Sequence, residues 1–100
     1  MISSQQQNEA MATLQTVRDC LRFGESMLRS GGVFFGHGND DPWDEALALL
    51  MHQLALPLQS DPRILDARLL PSEISGYLGQ LVKRVNDRVP VPYLTHEAWF

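Results

Sequence analysis

The sequence has little of the chemistry that marks disulfide-linked, membrane-spanning or nucleic-acid-binding proteins. Its 100 residues include a single cysteine, Cys20, which cannot form an internal disulfide and favours a reducing compartment, the cytoplasm. The longest purely apolar run covers residues 46–51, far short of the roughly 20 residues that cross a bilayer. We therefore expect no membrane contact. Because the 8 Lys and Arg are outnumbered by 12 Asp and Glu, for a net charge of −4, we also expect no direct DNA binding.

Residues that could carry catalysis or hold a metal are few and poorly spaced. The three histidines, at positions 37, 52 and 96, do not stand at metal-ligand spacings with one another or with Cys20. The glycine-rich stretch 36–38 lacks the lysine of a phosphate-binding loop, and the acids after it would repel a phosphate. We therefore predict no catalytic, cofactor-binding or metal-binding residue in this chain, and we interpret Cys20 as a core residue.

The best specified local structure is a loop that turns into a helix at residues 41–56. Asp41 is suited to the N-cap, Pro42 to the first helical position, and Asp44 to the first turn, where it faces the positive end of the helix dipole. These three residues predict a structural cap. Apolar side chains then cover most sides of the helix, which is typical of a helix at the centre of a bundle.

The rest of the chain predicts an all-α fold, a bundle of four or five helices with an extended C-terminal tail. Apolar spacing predicts a helix over about 10–29, a short one over 62–68, and a last one from 71 to about 89, whose Gly76 and Gly79 would permit close approach of a neighbour. Residues 1–9 are polar and predict a disordered N-terminus. The helical domain would thus span 10–89, with a linker over 90–100.

Two groups of residues suggest contacts with partners. Lys83, Arg84 and Arg88 could form a basic edge on the last helix, although a solvated helix face is the more common role for such bases. Tyr93, Trp99 and Phe100 are aromatic residues in the predicted tail, where burial against a further domain would be favourable. We therefore expect the chain to be a piece of a longer protein.

Two sequence blocks resemble a known family. Residues 36–46 read GHGNDDPWDEA and are similar to the GHGTDNPWDEA block of protein-(glutamine-N5) methyltransferases that act on a large-subunit ribosomal protein. Residues 84–95 read RVNDRVPVPYLT and resemble the RVNERIPVAYLT block of the same HemK-type enzymes, and an AWF sequence follows in both. The first block is absent from the related release-factor methyltransferases, so the ribosomal branch is indicated.

The resemblance implies a helical N-terminal domain that helps to recognise the ribosomal protein, joined through a β-hairpin to a C-terminal methyltransferase domain. That domain would bind S-adenosylmethionine at a glycine-rich loop and hold the substrate amide with an Asn-Pro-Pro-Tyr motif, which members share with adenine-specific DNA methylases. Neither motif occurs in this chain. Catalytic and cofactor-binding residues are therefore expected beyond it. The alternative is a stand-alone helical protein-interaction module.

Overall fold

Five α-helices and one 3₁₀ helix form the fold in the computed structural model, which describes residues 1–33 and 41–95. The predicted all-α bundle is confirmed. Within the described ranges, none of the helices has the length and apolarity that a membrane crossing requires. The elements are α1 (Ser4–Thr13), α2 (Val17–Ser30), α3 (Pro42–Gln53), the 3₁₀ helix (Pro62–Asp66), α4 (Pro71–Val85) and α5 (Val91–Thr95).

Helix α1 stands where composition predicts a disordered N-terminus, so that prediction is wrong. The Ser3 hydroxyl accepts from the Gln6 amide, and the Gln6 side chain accepts from the Ser3 amide, so a reciprocal capping box starts the helix. Ile2 is only 2% exposed, because its side chain enters the core just before the helix begins. A cap and one buried anchor therefore order a segment with almost no apolar face.

The helix predicted over 10–29 is two helices, broken at residues 14–16. Thr16 caps α2 by accepting from the Asp19 amide, while Asp19 accepts from the amides of Gln15 and Thr16. These backbone bonds hold the pKa of the Asp19 carboxyl below its usual range. The Gln15 carbonyl bonds instead to the Leu69 amide at 2.7 Å, so the segment after the 3₁₀ helix takes up the backbone groups freed by the break.

Helix α3 begins as predicted and lies among α2, α4 and α5. Asp41 Oδ1 accepts from the Trp43 amide at 2.9 Å, Pro42 is the first helical residue, and Asp44 lies in the first turn, so the predicted cap is present. The helix ends at Gln53, before the predicted end near Leu56, because Ala55 turns into the left-handed region at φ 56°. A second Asp-Pro start, at Asp61, opens the 3₁₀ helix.

Helix α4 packs against α2 and α3 through two close approaches. Tyr77 is fully buried and donates its hydroxyl to the Ala46 carbonyl at 3.1 Å. Gly24 makes room for that hydroxyl, since a Cβ there would lie 2.1 Å from Tyr77 Oη. The approach predicted at Gly76 is also present: Gln53 fills the space that a Cβ would need. Gly79, in contrast, faces open space.

The tail predicted to be extended is helical over Val91–Thr95, so that prediction is wrong for these five residues. Proline is compatible with a first helical turn, where Pro92 lies, and Val91 and Leu94 bury one side of this turn. Residues 34–40 and 96–100 lie outside the described ranges. The contacts predicted for Trp99 and Phe100 therefore fall outside the described residues.

Candidate functional site

The two blocks that carry the family resemblance meet in the fold. Glu45, in the first turn of α3, and Arg84, in the last turn of α4, form an ion pair in which Arg84 Nε donates to Glu45 Oε1. The side chains are 2% and 9% exposed, so the pair lies inside the protein rather than on its surface. Such a pair loses hydration at both charges, and its geometry must compensate for that loss. It therefore ties α3 to α4 at a defined position.

The basic edge predicted from Lys83, Arg84 and Arg88 is not an exposed surface of three charges. Lys83 is exposed, but Arg84 is buried against Glu45. Arg88 donates from Nη1 to the Gly31 carbonyl at 2.8 Å. Successive residues of an α-helix point about 100° apart, so neighbouring bases at 83 and 84 face different surroundings. The prediction is wrong for Arg84, because its guanidinium reaches inward to a carboxylate.

Asn86 and Arg88 connect the end of α4 to distant parts of the chain. Asn86 Oδ1 accepts from the Ile2 amide at 2.7 Å, and Asn86 Nδ2 donates to the Ile2 carbonyl at 3.0 Å. The side-chain amide thus pairs with the backbone of Ile2. Arg88 has φ 60°, a left-handed conformation that is uncommon for residues other than glycine. Its bond to Gly31 anchors the chain after this strained turn.

Helix α5 follows directly and presents one large aromatic side chain to solvent. Val91, Leu94 and Thr95 are buried against the bundle, whereas Tyr93 is 72% exposed. The Thr95 hydroxyl donates to the Val91 carbonyl at 3.2 Å. Of the aromatic residues predicted to contact a further domain, Tyr93 is thus the one that the described structure places on a surface.

Nucleophilic chemistry is disfavoured at the buried thiol. Cys20 is 0% exposed, and burial raises the pKa of its thiol to about 11, so the thiolate is scarce at neutral pH. Burial also raises the pKa of the nearby Tyr77 hydroxyl, which stays protonated as a hydrogen-bond donor. Within residues 1–33 and 41–95, no group of three or more His, Cys, Asp or Glu side chains could hold a metal ion.

Two neighbouring depressions border the segment between α3 and the 3₁₀ helix. One, of about 210 Å³, is lined chiefly by apolar side chains that include Trp43, Leu47 and Leu65. The other, of about 570 Å³, lies beside Leu56 and Pro57. Its charged residues, Asp61 and Arg63, are bonded to each other at 2.7 Å, and this bond holds the pKa of Asp61 below its usual range. The depressions are apolar grooves with internally neutralised charge.

Sequence reasoning missed the partners of two residues in this region. From the sequence, Glu45 is an acidic residue in a first helical turn, where its charge interacts favourably with the helix dipole. Nothing in the local pattern indicates that it has a partner 39 residues away. Asn86 is compatible with the end of a helix, and nothing in the nearby sequence indicates that its side chain bonds to the Ile2 backbone. The available signal was the resemblance itself, because Glu45 and the sequence from Arg84 to Asn86 lie inside the two matching blocks.

The sequence was compared with protein-family models, with solved structures and with curated proteins. No protein-family model matches the sequence. No solved structure matches it either. Curated proteins do match, among them one from Bordetella pertussis that is 47% identical over 93 residues and one from Neisseria gonorrhoeae that is 45% identical over 92 residues.

Both relatives are named ribosomal protein uL3 glutamine methyltransferase. The matches cover 93% and 92% of this chain, and in each case 31% of the relative. A Neisseria meningitidis protein of the same name is 45% identical, with 30% of it covered. The predicted resemblance is confirmed: along nearly its whole length the chain is homologous to ribosomal protein uL3 glutamine methyltransferases, and it spans about a third of their length.

Proposed function

We propose that this chain is the helical substrate-recognition part of a methyltransferase that modifies a glutamine side-chain amide of ribosomal protein uL3. The observation that carries the proposal is the identity of 45–47% over at least 92% of the chain with proteins of that name. Since the chain spans 31% of those relatives, the other two-thirds would supply catalysis. The reaction belongs in the cytoplasm, where ribosomal proteins are made.

The methyl donor of the longer protein would be S-adenosylmethionine, whose sulfonium supplies an activated methyl group. The larger of the two grooves described above does not fit it. The carboxylate that lines the groove beside Pro57, Asp61, is already bonded to Arg63, and no glycine lies in the wall of that groove to let backbone amides approach the ligand. We therefore assign cofactor binding to the rest of the longer protein.

Positioning is the contribution that such a reaction asks of a helical domain. An amide nitrogen is a poor nucleophile, so transfer of a methyl group to it depends on holding the amide in line with that methyl group. Binding energy from parts of the substrate remote from the glutamine serves this purpose. A rigid bundle tied at Glu45–Arg84 and at Ile2–Asn86 offers a preorganised surface for that binding.

The exposed residues among the predicted contacts mark the surface that we propose for this role. Lys83 and Tyr93 are exposed, and Arg88 is exposed apart from its bond to Gly31. We propose that Tyr93 packs against the catalytic part of the longer protein, and that Lys83 contributes to a partner contact. Trp99 and Phe100 remain predicted contacts of the same kind.

Methylation of purified uL3 by the longer protein tests the function directly. Transfer of a labelled methyl group from S-adenosylmethionine to a glutamine of uL3 is the expected result. Removal of residues 1–95 should raise KM for uL3 by about 10-fold or more, as expected when binding rather than chemistry is lost. A longer protein without methyltransferase activity would instead favour the stand-alone interaction module.

Two experiments on the 100-residue chain test the roles assigned to it: calorimetry tests for cofactor binding, and a capture experiment tests for binding of uL3. We expect no heat of binding with S-adenosylmethionine, and micromolar binding would overturn the assignment of the cofactor site. Immobilised chain should retain uL3, and Lys83→Glu should retain less than the control Arg22→Glu, which makes the same charge change on α2. Equal retention by the two variants would remove Lys83 from the proposed surface.

A further inference from the structure

The ion pair between Glu45 and Arg84 is buried, and stabilisation of the fold alone does not explain a buried ion pair at this position. Both side chains are at least 91% buried, by the exposures of 2% and 9% given above. A buried ion pair contributes little net stability, since apolar residues of similar volume often do as well or better. What such a pair does provide is direction, because its bond restricts how two helices can slide past each other.

The two helices joined by the pair are the same two that support α5. Helix α5 packs against both α3 and α4, with Val91 and Leu94 buried between it and the bundle. Any shift of α3 along α4 would therefore change the surface on which α5 packs. Tyr93 projects from the opposite side of this short helix.

The connection between α4 and α5 is also fixed at its start. The Val89 amide donates to the Lys83 carbonyl at 3.0 Å, which closes the end of α4. Arg88 takes the left-handed conformation and donates to the Gly31 carbonyl at the end of α2. Only positions 89 and 90 separate this anchor from α5, so little freedom remains in the direction of the chain.

We propose that Glu45 and Arg84 are positioning residues that set the alignment of α3 on α4 and thereby orient α5 and Tyr93 for the catalytic part of the longer protein. Because both side chains are buried, we assign them no contact with the substrate. Their effect on methylation passes through α5, and this part of the proposal rests on the function proposed above. The orientation of α5 itself does not rest on it and is measurable in the 100-residue chain.

The first experiment replaces the pair by apolar residues, in the double variant Glu45→Leu/Arg84→Met. We expect the melting temperature to stay the same or to rise. Amide hydrogen exchange at Leu94 and Thr95 should accelerate by about 10-fold, since α5 would open locally more often. Exchange at Leu21 and Leu28, in α2, should stay within about 2-fold of wild type and serves as the control.

Two results would overturn the proposal. One is unchanged exchange at Leu94 and Thr95, which would show that α5 does not depend on the pair. The other is equal acceleration in α2 and α5, which would show general destabilisation. Arg84→Lys, which keeps the charge but loses the planar fork of donors, should lie between wild type and the double variant. It carries the same test if the double variant fails to fold.

The second experiment places the double variant in the longer protein. KM for uL3 should rise by about 10-fold while kcat changes by less than about 2-fold, because the chemical step is untouched. Unchanged KM with accelerated exchange in α5 would overturn the link from α5 to substrate use. If the wild-type longer protein lacked methyltransferase activity, the proposed function would fail, and the exchange measurements would still decide the role of the pair.

Discussion

Two regions of the bundle are held together by different physics. The apolar centre, made of Leu21, Leu50, Tyr77 and Leu81 with Gly24 and Ala46, excludes water almost completely and contains one long-range hydrogen bond. The tie region consists of Glu45–Arg84, Asn86 with Ile2, and Arg88 with Gly31, all long-range polar bonds. Apolar burial scales with area and has no direction, whereas polar bonds are directional. We infer that the centre supplies stability and the tie region supplies geometry.

The strongest test of this division is Leu50→Ala. Leu50 is 0% exposed, so truncation should lower the free energy of unfolding by about 2–5 kcal/mol through lost burial and a residual cavity. Urea unfolding measures the loss. The matched control is Leu58→Ala, at a side chain 57% exposed, which should change the value by less than about 0.5 kcal/mol. Similar losses in both variants would mean that the centre is no more tightly packed than the surface.

A double-mutant cycle on Gly24 and Tyr77 tests the closest contact in the centre. Gly24→Ala would place a methyl group 2.1 Å from Tyr77 Oη, and overpacking of this kind costs about 1–3 kcal/mol. Tyr77→Phe removes that oxygen, so the two changes together should cost about 1 kcal/mol less than the sum of their separate costs.

Gly79→Ala is the control for the cycle, because Gly79 lies in α4 with open space around it. It should stabilise the chain by about 0.5–1 kcal/mol through helix propensity alone. Additive costs for Gly24→Ala and Tyr77→Phe in thermal and urea unfolding would show that the hydroxyl does not fill the space at Gly24.

In the tie region, Asn86→Ala removes both bonds to the Ile2 backbone. The expected loss in unfolding free energy is about 1–2 kcal/mol, smaller than that for Leu50→Ala because the site is only partly buried. Aminopeptidase digestion, followed by mass spectrometry, should show faster release of the first residues. Asn8→Ala, on the exposed side of α1, is the matched control and should digest like wild type.

The smallest expected effect is a pH dependence at the start of α2. The Asp19 carboxyl has a lowered pKa in the folded chain, so its ionised form stabilises the fold. That contribution is complete above the unfolded pKa, about 4, and is lost as the pH falls through the lower folded pKa. The difference in melting temperature between wild type and Asp19→Asn should therefore be constant above about pH 5 and shrink below it. A difference independent of pH would contradict this role.

The same contrast explains what the sequence could predict. Residues of the apolar centre repeat at helical spacing, so the positions of Leu21, Leu50 and Leu81 in the core follow from that spacing alone. The cap at Asp41 and the close approach at Gly76 also rest on local features, and both are present. Local patterns therefore predicted the bundle and most of its helices.

What failed depends on contacts between distant parts of the chain. Helix α1 needs the anchor that Asn86 gives to Ile2, and the break before α2 needs the Leu69 amide at the Gln15 carbonyl. Arg84 is expected on a surface until its carboxylate partner, 39 positions earlier, is known. Most contacts of the tie region were therefore beyond prediction from spacing or composition, although Glu45, Arg84, Asn86 and Arg88 lie in the two blocks of the family resemblance.

The bond between Ile2 and Asn86 sets an order of events during synthesis. The two residues are separated by 84 positions, so a ribosome adding about 5–20 residues per second needs roughly 4–17 s to make the second after the first. Throughout that interval α1 has its capping box but no anchor. Helix α1, the first of the described helices to be translated, is therefore among the last to reach its final place, since the bond from Ile2 to Asn86 cannot form before the end of α4 has been made.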